Sequence, residues 1–237
     1  MLTGKIFTMQ KILFILTSHA DMLNTDTKTG VWLSEFTDPF YEFLDAGYEV
    51  VLASPKGGQP PVDEMSKLTE HITSSNRRFN DDAAAQAEFA NTLPLESINP
   101  DEYTAVFFPG GHGPIWDLAD SATVGKIIQS FHAQGKVIGA VCHGSAAFIS
   151  AGKQDAQFLQ GKRLSCFSNA EEKLTGKEDH IPYLLEDVLR EMGAEIDNTV
   201  IPFAPHTIVD GNLITGQNPL SAGPTAKKMI EMVKGTV

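Results

Sequence analysis

Cysteine is scarce in this chain. Only two stand among 237 residues, Cys142 and Cys166, too few for a disulfide framework and suited to a reducing compartment. Basic residues are in deficit as well: 18 Lys and Arg face 30 Asp and Glu, a net charge of −12. No basic cluster exceeds Arg77-Arg78, so nucleic acid is not an expected partner. Apolar runs are short; Ile12 to Leu16 falls far below the ~20 residues of a membrane span, so no membrane partner is expected. A small-residue cleavage signature for secretion is also missing, and a cytoplasmic protein is the expectation. Seven histidines (His19, His71, His112, His132, His143, His180 and His206) show no ligand spacing such as H-x-x-x-H, so a metal is not expected. There is no internal repeat, low-complexity tract or linker. Residues 9–237 therefore read as one domain with 56–92 as an insertion, partly helical around 80–90, and residues 1–8 read as a leader.

What is present is alternation. Ile12 to Leu16, Tyr48 to Ala53, Thr104 to Phe108 and the run ending at Val141 read as buried strands. Phe36, Phe40, Phe43 and Leu44 predict a helix over 34–46, stopped by Gly47. Val124, Ile127, Ile128 and Phe131 predict another, stopped by Gly135. Strands apolar throughout, separated by helices, predict an α/β fold with a mostly parallel sheet covered by helices on both faces. Ligands bind at the carboxyl ends of such strands. Three polar loops fall there: the one after Leu16, Gly110–Gly113 and Cys142–Ser145. Farther on, Leu164 to Phe167 predicts a strand with Cys166 in the core. Ile181, Leu184, Leu185, Val188, Leu189 and Met192 predict an amphipathic helix closed by Gly193. Val209 to Ile214 predicts a hairpin, and a last helix covers about 221–234.

Ala140-Val141-Cys142-His143-Gly144-Ser145 is the most informative stretch. A cysteine at a strand-to-helix turn meets the unpaired N–H groups and positive end of the helix, which can draw a thiol pKa from about 8.5 to roughly 3.5–7.5. A nucleophile is the leading reading; a buried structural thiol is the alternative. His143 is the adjacent proton partner. Glu35, near the start of the first helix, is a second candidate, or else a first-turn glutamate favoured by the helix dipole. Glu171 or Glu172, after a later strand, could orient His143 as the third member of a Cys–His–carboxylate set. Pro109-Gly110-Gly111-His112-Gly113 offers unobstructed backbone N–H groups for an oxyanion and lacks the Lys-Ser/Thr of a phosphate-binding loop.

Together these stretches, with Phe167-Ser168-Asn169-Ala170-Glu171-Glu172, Thr215-Gly216-Gln217-Asn218-Pro219 and Gly30 to Glu35, resemble the ThiJ/PfpI superfamily from about Lys11 to the final helix. Gly30 to Glu35 followed by Asp38-Pro39-Phe40, and the 56–92 insertion, resemble its branch of glutathione-independent glyoxalases, also described as stress chaperones and protein deglycases. The resemblance implies a flavodoxin-like three-layer sandwich, often a homodimer, acting on a small aldehyde without a cofactor. It implies Cys142 as nucleophile, Glu35 as the carboxyl beside the sulfur, His143 as general base and Glu172 as the acid orienting it. Gly111 and His112 fall to oxyanion and substrate binding. A holdase chaperone or redox-responsive protein is the rival of another class. A glutamine amidotransferase ranks lower, because His206-Thr207-Ile208 lacks the glutamate that resemblance to that family requires two residues after its histidine; a cysteine peptidase, also ranked lower, would need an open cleft for a chain.

Overall fold

In chain order, β1 (Lys11–Ile15), α1 (Leu33–Asp45) and β2 (Glu49–Ser54) open the fold. The computed structural model describes residues 9–235, and the leader expected at 1–8 lies outside them. The 56–92 segment contributes α2 (Ser74–Asp81) and α3 (Ala83–Ala90) before the short β3 (Leu93–Pro94). Then come β4 (Ala105–Phe108), α4 (Pro114–Asp117), α5 (Ala122–Ala133) and β5 (Val137–Val141). They are followed by α6 (Ala147–Gln154), β6 (Arg163–Leu164), α7 (Asn169–Thr175), α8 (Leu185–Glu191) and β7 (Glu195–Ile196). The hairpin β8 (Thr207–Asp210) and β9 (Leu213–Gly216) precedes α9 (Ala222–Gly235).

Seven strands form one sheet in the order β3-β2-β1-β4-β5-β9-β8. Every neighbouring pair is parallel except β8 with β9. Alternation along the central strands builds two cores, since successive side chains point to opposite faces. Ile12, Phe14, Ala105, Phe107 and Val137 pack with Phe36, Phe40 and Phe43 of α1 and Met229 of α9. Leu13, Ile15, Val106, Phe108 and Ile138 pack with Ile127, Ile128 and Phe131 of α5 and Phe148 of α6. A strand flanked by helices on both sides has no polar face. Hence the uninterrupted apolar runs in the sequence, and hence a three-layer α/β sandwich of the flavodoxin-like kind.

Two elements differ from the sequence pattern. The helix expected from Ile181 starts only at Leu185. Pro182 pushes its predecessor out of helical geometry, and Ile181 is extended at φ −120°, ψ 153°. Ile181 and Leu184 still pack against the core, from a non-helical approach. The strand expected over Leu164 to Phe167 shrinks to Arg163–Leu164, which pairs with Glu195–Ile196 in a separate two-stranded sheet. Cys166 lies beyond that strand and is fully buried in the core.

Candidate active site

The parallel strands β1, β4 and β5 end side by side, so the loops after them meet although they are far apart in sequence. After β5 the chain turns through a 3₁₀ segment, Cys142–Ala146, into α6. Cys142 takes φ +57°, a left-handed conformation that costs a non-glycine residue roughly 1–2 kcal/mol. Gly144 makes the turn possible, because a Cβ there would run into the Phe108 carbonyl. The Cys142 sulfur lies 3.3 Å from His143 Nδ1. On the far side of the same ring, Nε2 is 2.6 Å from Glu172 Oε2, and the other carboxylate oxygen is 2.8 Å from His112 Nε2. Two imidazoles thus donate to one buried carboxylate, and the two rings lie 4.2 Å apart.

Of the two adjacent glutamates, Glu172 faces the histidines. Glu171 closes a capping box with Ser168 at the start of α7. Its carboxylate accepts from the Ser168 N–H and hydroxyl, the Gln217 and Asn218 amides and the Phe203 N–H. The Gln217-Asn218 pair in the Thr215–Pro219 stretch therefore anchors the helix that carries Glu172.

Glu35, in the first turn of α1, is completely buried, and neither carboxyl oxygen has a partner of good hydrogen-bond geometry among the described residues. Its nearest polar neighbours are the Cys142 thiol and the Gly110 N–H. Burial raises its pKa to about 8, against the pull of those two groups. Pro39, four residues on, has no N–H to give the Glu35 carbonyl, so the helix ladder is broken at this residue. The thiol departs from the sequence expectation of a lowered pKa. Burial and the Glu35 carboxylate push it well above the ordinary range, against the His143 and Gly111 N–H groups. Helix-terminal donors are present, but desolvation of a residue only 3% exposed outweighs them. With Glu35 protonated at neutral pH the repulsive contribution to the thiol vanishes, and carboxyl and thiol each keep a proton.

For Glu172 burial alone would raise the pKa, yet the two imidazoles prevail and hold it far below the usual carboxylate range. Burial, then the neighbouring His143, lowers His112 to about 4, so its ring is neutral near pH 7. His112 Nδ1 is buried without a hydrogen-bond partner among the described residues. His112, expected at the oxyanion and substrate-binding end, lines the cavity and gives its Nε2 to Glu172. His112, His143 and Glu172 could also ligate a cation, their donor atoms lying within 4.8 Å of one another. No sequence spacing signals that set, because the sheet assembles it from three separate loops.

Glu35, Gly111, His112, Cys142 and His143 line one cavity of about 690 Å³. Two other cavities, of about 620 and 670 Å³, have no cysteine or histidine in their walls. The loop after β1, expected to join the site, reaches the cavity at its far end, through Trp32, and not at its start. Thr17 and Ser18 bind Asp117 instead, at 2.8 and 2.6 Å. Sequence reasoning missed Trp32, His71, Lys177, Phe203 and Leu220 in the cavity wall. Trp32 and His71, 5.1 Å apart in edge contact, carry no signal beyond lying near Glu35 and in the 56–92 segment.

Among known proteins, the DJ-1/PfpI family model matches residues 27–232. The glutathione-independent glyoxalase HSP31 of Saccharomyces cerevisiae is 31% identical over 95% of this chain and 98% of its own length. The rapid encystment protein of 24 kDa from Francisella tularensis superimposes with a TM-score of 0.89 at 35% identity, covering 95% of this chain and 99% of that one. Glyoxalase III of Candida albicans superimposes at 0.84 with 28% identity, covering 94% and 96%. A strained cysteine between a glycine loop and a histidine–carboxylate pair, on a sheet these structures share nearly end to end, fits one lineage: the chain belongs to the DJ-1/PfpI family.

Proposed function

We propose that the protein is a glutathione-independent glyoxalase that converts methylglyoxal and water to lactate, with Cys142 as its nucleophile. The observation that carries this reading is the line Cys142–His143–Glu172, with a protonated Glu35 against the sulfur at the wall of a cavity. The glyoxalase relatives in two yeasts support it.

Attack begins as the thiol passes its proton to His143 Nδ1 and the sulfur bonds to the aldehyde carbon. Glu35 gives its proton to the aldehyde oxygen, and a hemithioacetal results. The Glu35 carboxylate then takes the hydrogen of that carbon while His143 returns its proton to the ketone oxygen, giving an enediol. Reversed roles complete the shift: Glu35 protonates the second carbon, and His143 takes the proton of the first hydroxyl, leaving a thioester. Water attacks the thioester carbon and loses a proton to Glu35. The carbon–sulfur bond breaks, and the sulfur recovers its proton from His143. One carbon is oxidised and its neighbour reduced, so no outside redox partner is required. A carboxyl that titrates near 8 suits this alternation between acid and base. The Gly111 and His143 N–H groups, already turned toward the sulfur, would hold negative charge on the oxygen, and Glu172 would steady the protonated His143.

D-lactate formation from methylglyoxal without glutathione tests the reading. Cys142→Ser abolishes it, and Cys166→Ser, remote in the core, retains at least half. Equal rates in wild type and Cys142→Ser overturn the assignment. A second reading, a stress holdase, draws on Val200 and Ile201, 94% and 64% exposed. Aggregation suppression by both proteins, with methylglyoxal consumed by neither, favours it. Protein deglycation would use the same sulfur. The homodimer and the cytoplasmic location remain part of this proposal, and sedimentation velocity checks the former.

A further inference from the structure

A three-carbon dicarbonyl leaves most of this cavity empty. Methylglyoxal has five non-hydrogen atoms, which at the ~30 Å³ of a water-sized group occupy roughly 150 Å³. The cavity holds about 690 Å³, in the range that receives ligands several times larger. Its chemistry is also divided. The reactive groups, Cys142, His143 and Glu35, are all buried. The outer wall carries Met65, Leu174, Phe203 and Leu220, which are 45, 65, 39 and 62% exposed. Large apolar side chains left in water around a cavity mouth mark a surface that a ligand covers. Phe203 is placed there at a cost: it sits at φ +62°, and its N–H is held by the Glu171 carboxylate. Strain of that kind persists where the surroundings fix a side chain for use.

Resting on the glyoxalase reading, we infer that the site selects 2-oxoaldehydes bearing a bulky apolar substituent, aryl or medium-chain alkyl, over methylglyoxal. The dicarbonyl end reaches Cys142, and the substituent lies against Leu174, Phe203 and Leu220. The bond changes are those already given, because the substituent takes no part in them. Selection therefore enters through binding and shows as a lower KM.

The test compares kcat/KM for methylglyoxal, phenylglyoxal and hexylglyoxal, following dicarbonyl loss with Cys142→Ser as the blank. At least a tenfold preference for the two larger substrates is expected, carried by KM. In Leu220→Asn and Leu174→Asn the ratio of phenylglyoxal to methylglyoxal kcat/KM falls at least fivefold. Circular dichroism and melting temperature verify that each variant is folded. Should Leu174→Asn fail to fold, Leu220→Asn alone decides. Methylglyoxal turned over as well as or better than the larger substrates overturns this inference and leaves the glyoxalase reading standing. A preference that survives both rim variants also overturns it. Loss of all three dicarbonyls at the Cys142→Ser rate removes the glyoxalase reading itself.

Discussion

Replacing Glu35 by Gln tests the electrostatic core of the site apart from catalysis. Folding takes this carboxyl from an ordinary pKa of 4.5 to about 8 by stripping its water. The native state thus binds a proton that the unfolded chain releases, and stability falls as pH rises between those values. The contribution is intact below 4.5 and lost as pH climbs through 8. At 1.36 kcal/mol per unit, the cost at pH 7 is about 3 kcal/mol, and the loss from pH 5 to 9 is about 4 kcal/mol. That is a large share of the 5–15 kcal/mol typical of a domain. Gln keeps the shape and carries no charge in either state, so its variant escapes the loss. Urea unfolding of both proteins, read by far-ultraviolet circular dichroism at pH 5, 7 and 9, isolates the effect, because other titrating groups cancel in the difference. The gap in favour of Glu35→Gln should widen by several kcal/mol across that range while lactate formation falls at least a hundredfold. Parallel stability curves, within about 1 kcal/mol, refute the claim that folding holds a proton on Glu35.

Glu172→Gln has the opposite sign. Its carboxylate is depressed by two imidazole donors, so the stability it supplies is present above 4.5 and disappears as pH drops through the lower folded value. We expect a loss of about 2–4 kcal/mol at pH 7 that closes in acid, with kcat reduced at least a hundredfold; unchanged kcat counts against an orienting role. Gly111→Ala places a methyl group against the Gly30 carbonyl at φ +88°, and should lower the melting temperature by roughly 5–10 °C. A melting point within 2 °C of wild type would show that the loop yields there. Iodoacetamide labelling of Cys142 at pH 8 should be faster in Glu35→Gln, since the carboxylate that opposes thiol ionisation is gone; slower labelling contradicts that coupling.

The turn at Cys142 was readable because its signals are local: an apolar strand, small residues and a helix start within ten positions. The sheet was readable for the same reason, from runs without a polar face. The contact between His112 and Glu172 was not. Sixty residues separate them, and only the convergence of strand ends brings them together. Nor was the raised pKa of Glu35, because burial is its largest cause, and burial of one carboxyl leaves no trace in its own sequence. The loop after β1 joins the cavity through Trp32 and not through its first residues, because Asp117 captures Thr17 and Ser18. Helix α8 misled because periodicity counts side chains and ignores Pro182.

Each unfavourable feature of the site has a matching restraint elsewhere. The left-handed Cys142 stands between β5, buried throughout, and α6, whose first six residues are buried. Glu35 is buried and protonated at neutral pH on a helix whose Phe36, Phe40 and Phe43 are anchored in the core. Glu172 is held on α7 by the five donors that satisfy its neighbour Glu171. A looser frame would relax these groups in turn: the cysteine toward ordinary φ, the carboxyl toward water and ionisation, the imidazoles away from each other. Reactivity of the sulfur is therefore a property of the surrounding packing as much as of the thiol. Variants that soften α1 or α7 without touching the cavity should lower turnover before they lower the amount of folded protein. A series in which activity and folded fraction fall in strict proportion would mean that the site holds its geometry without that frame.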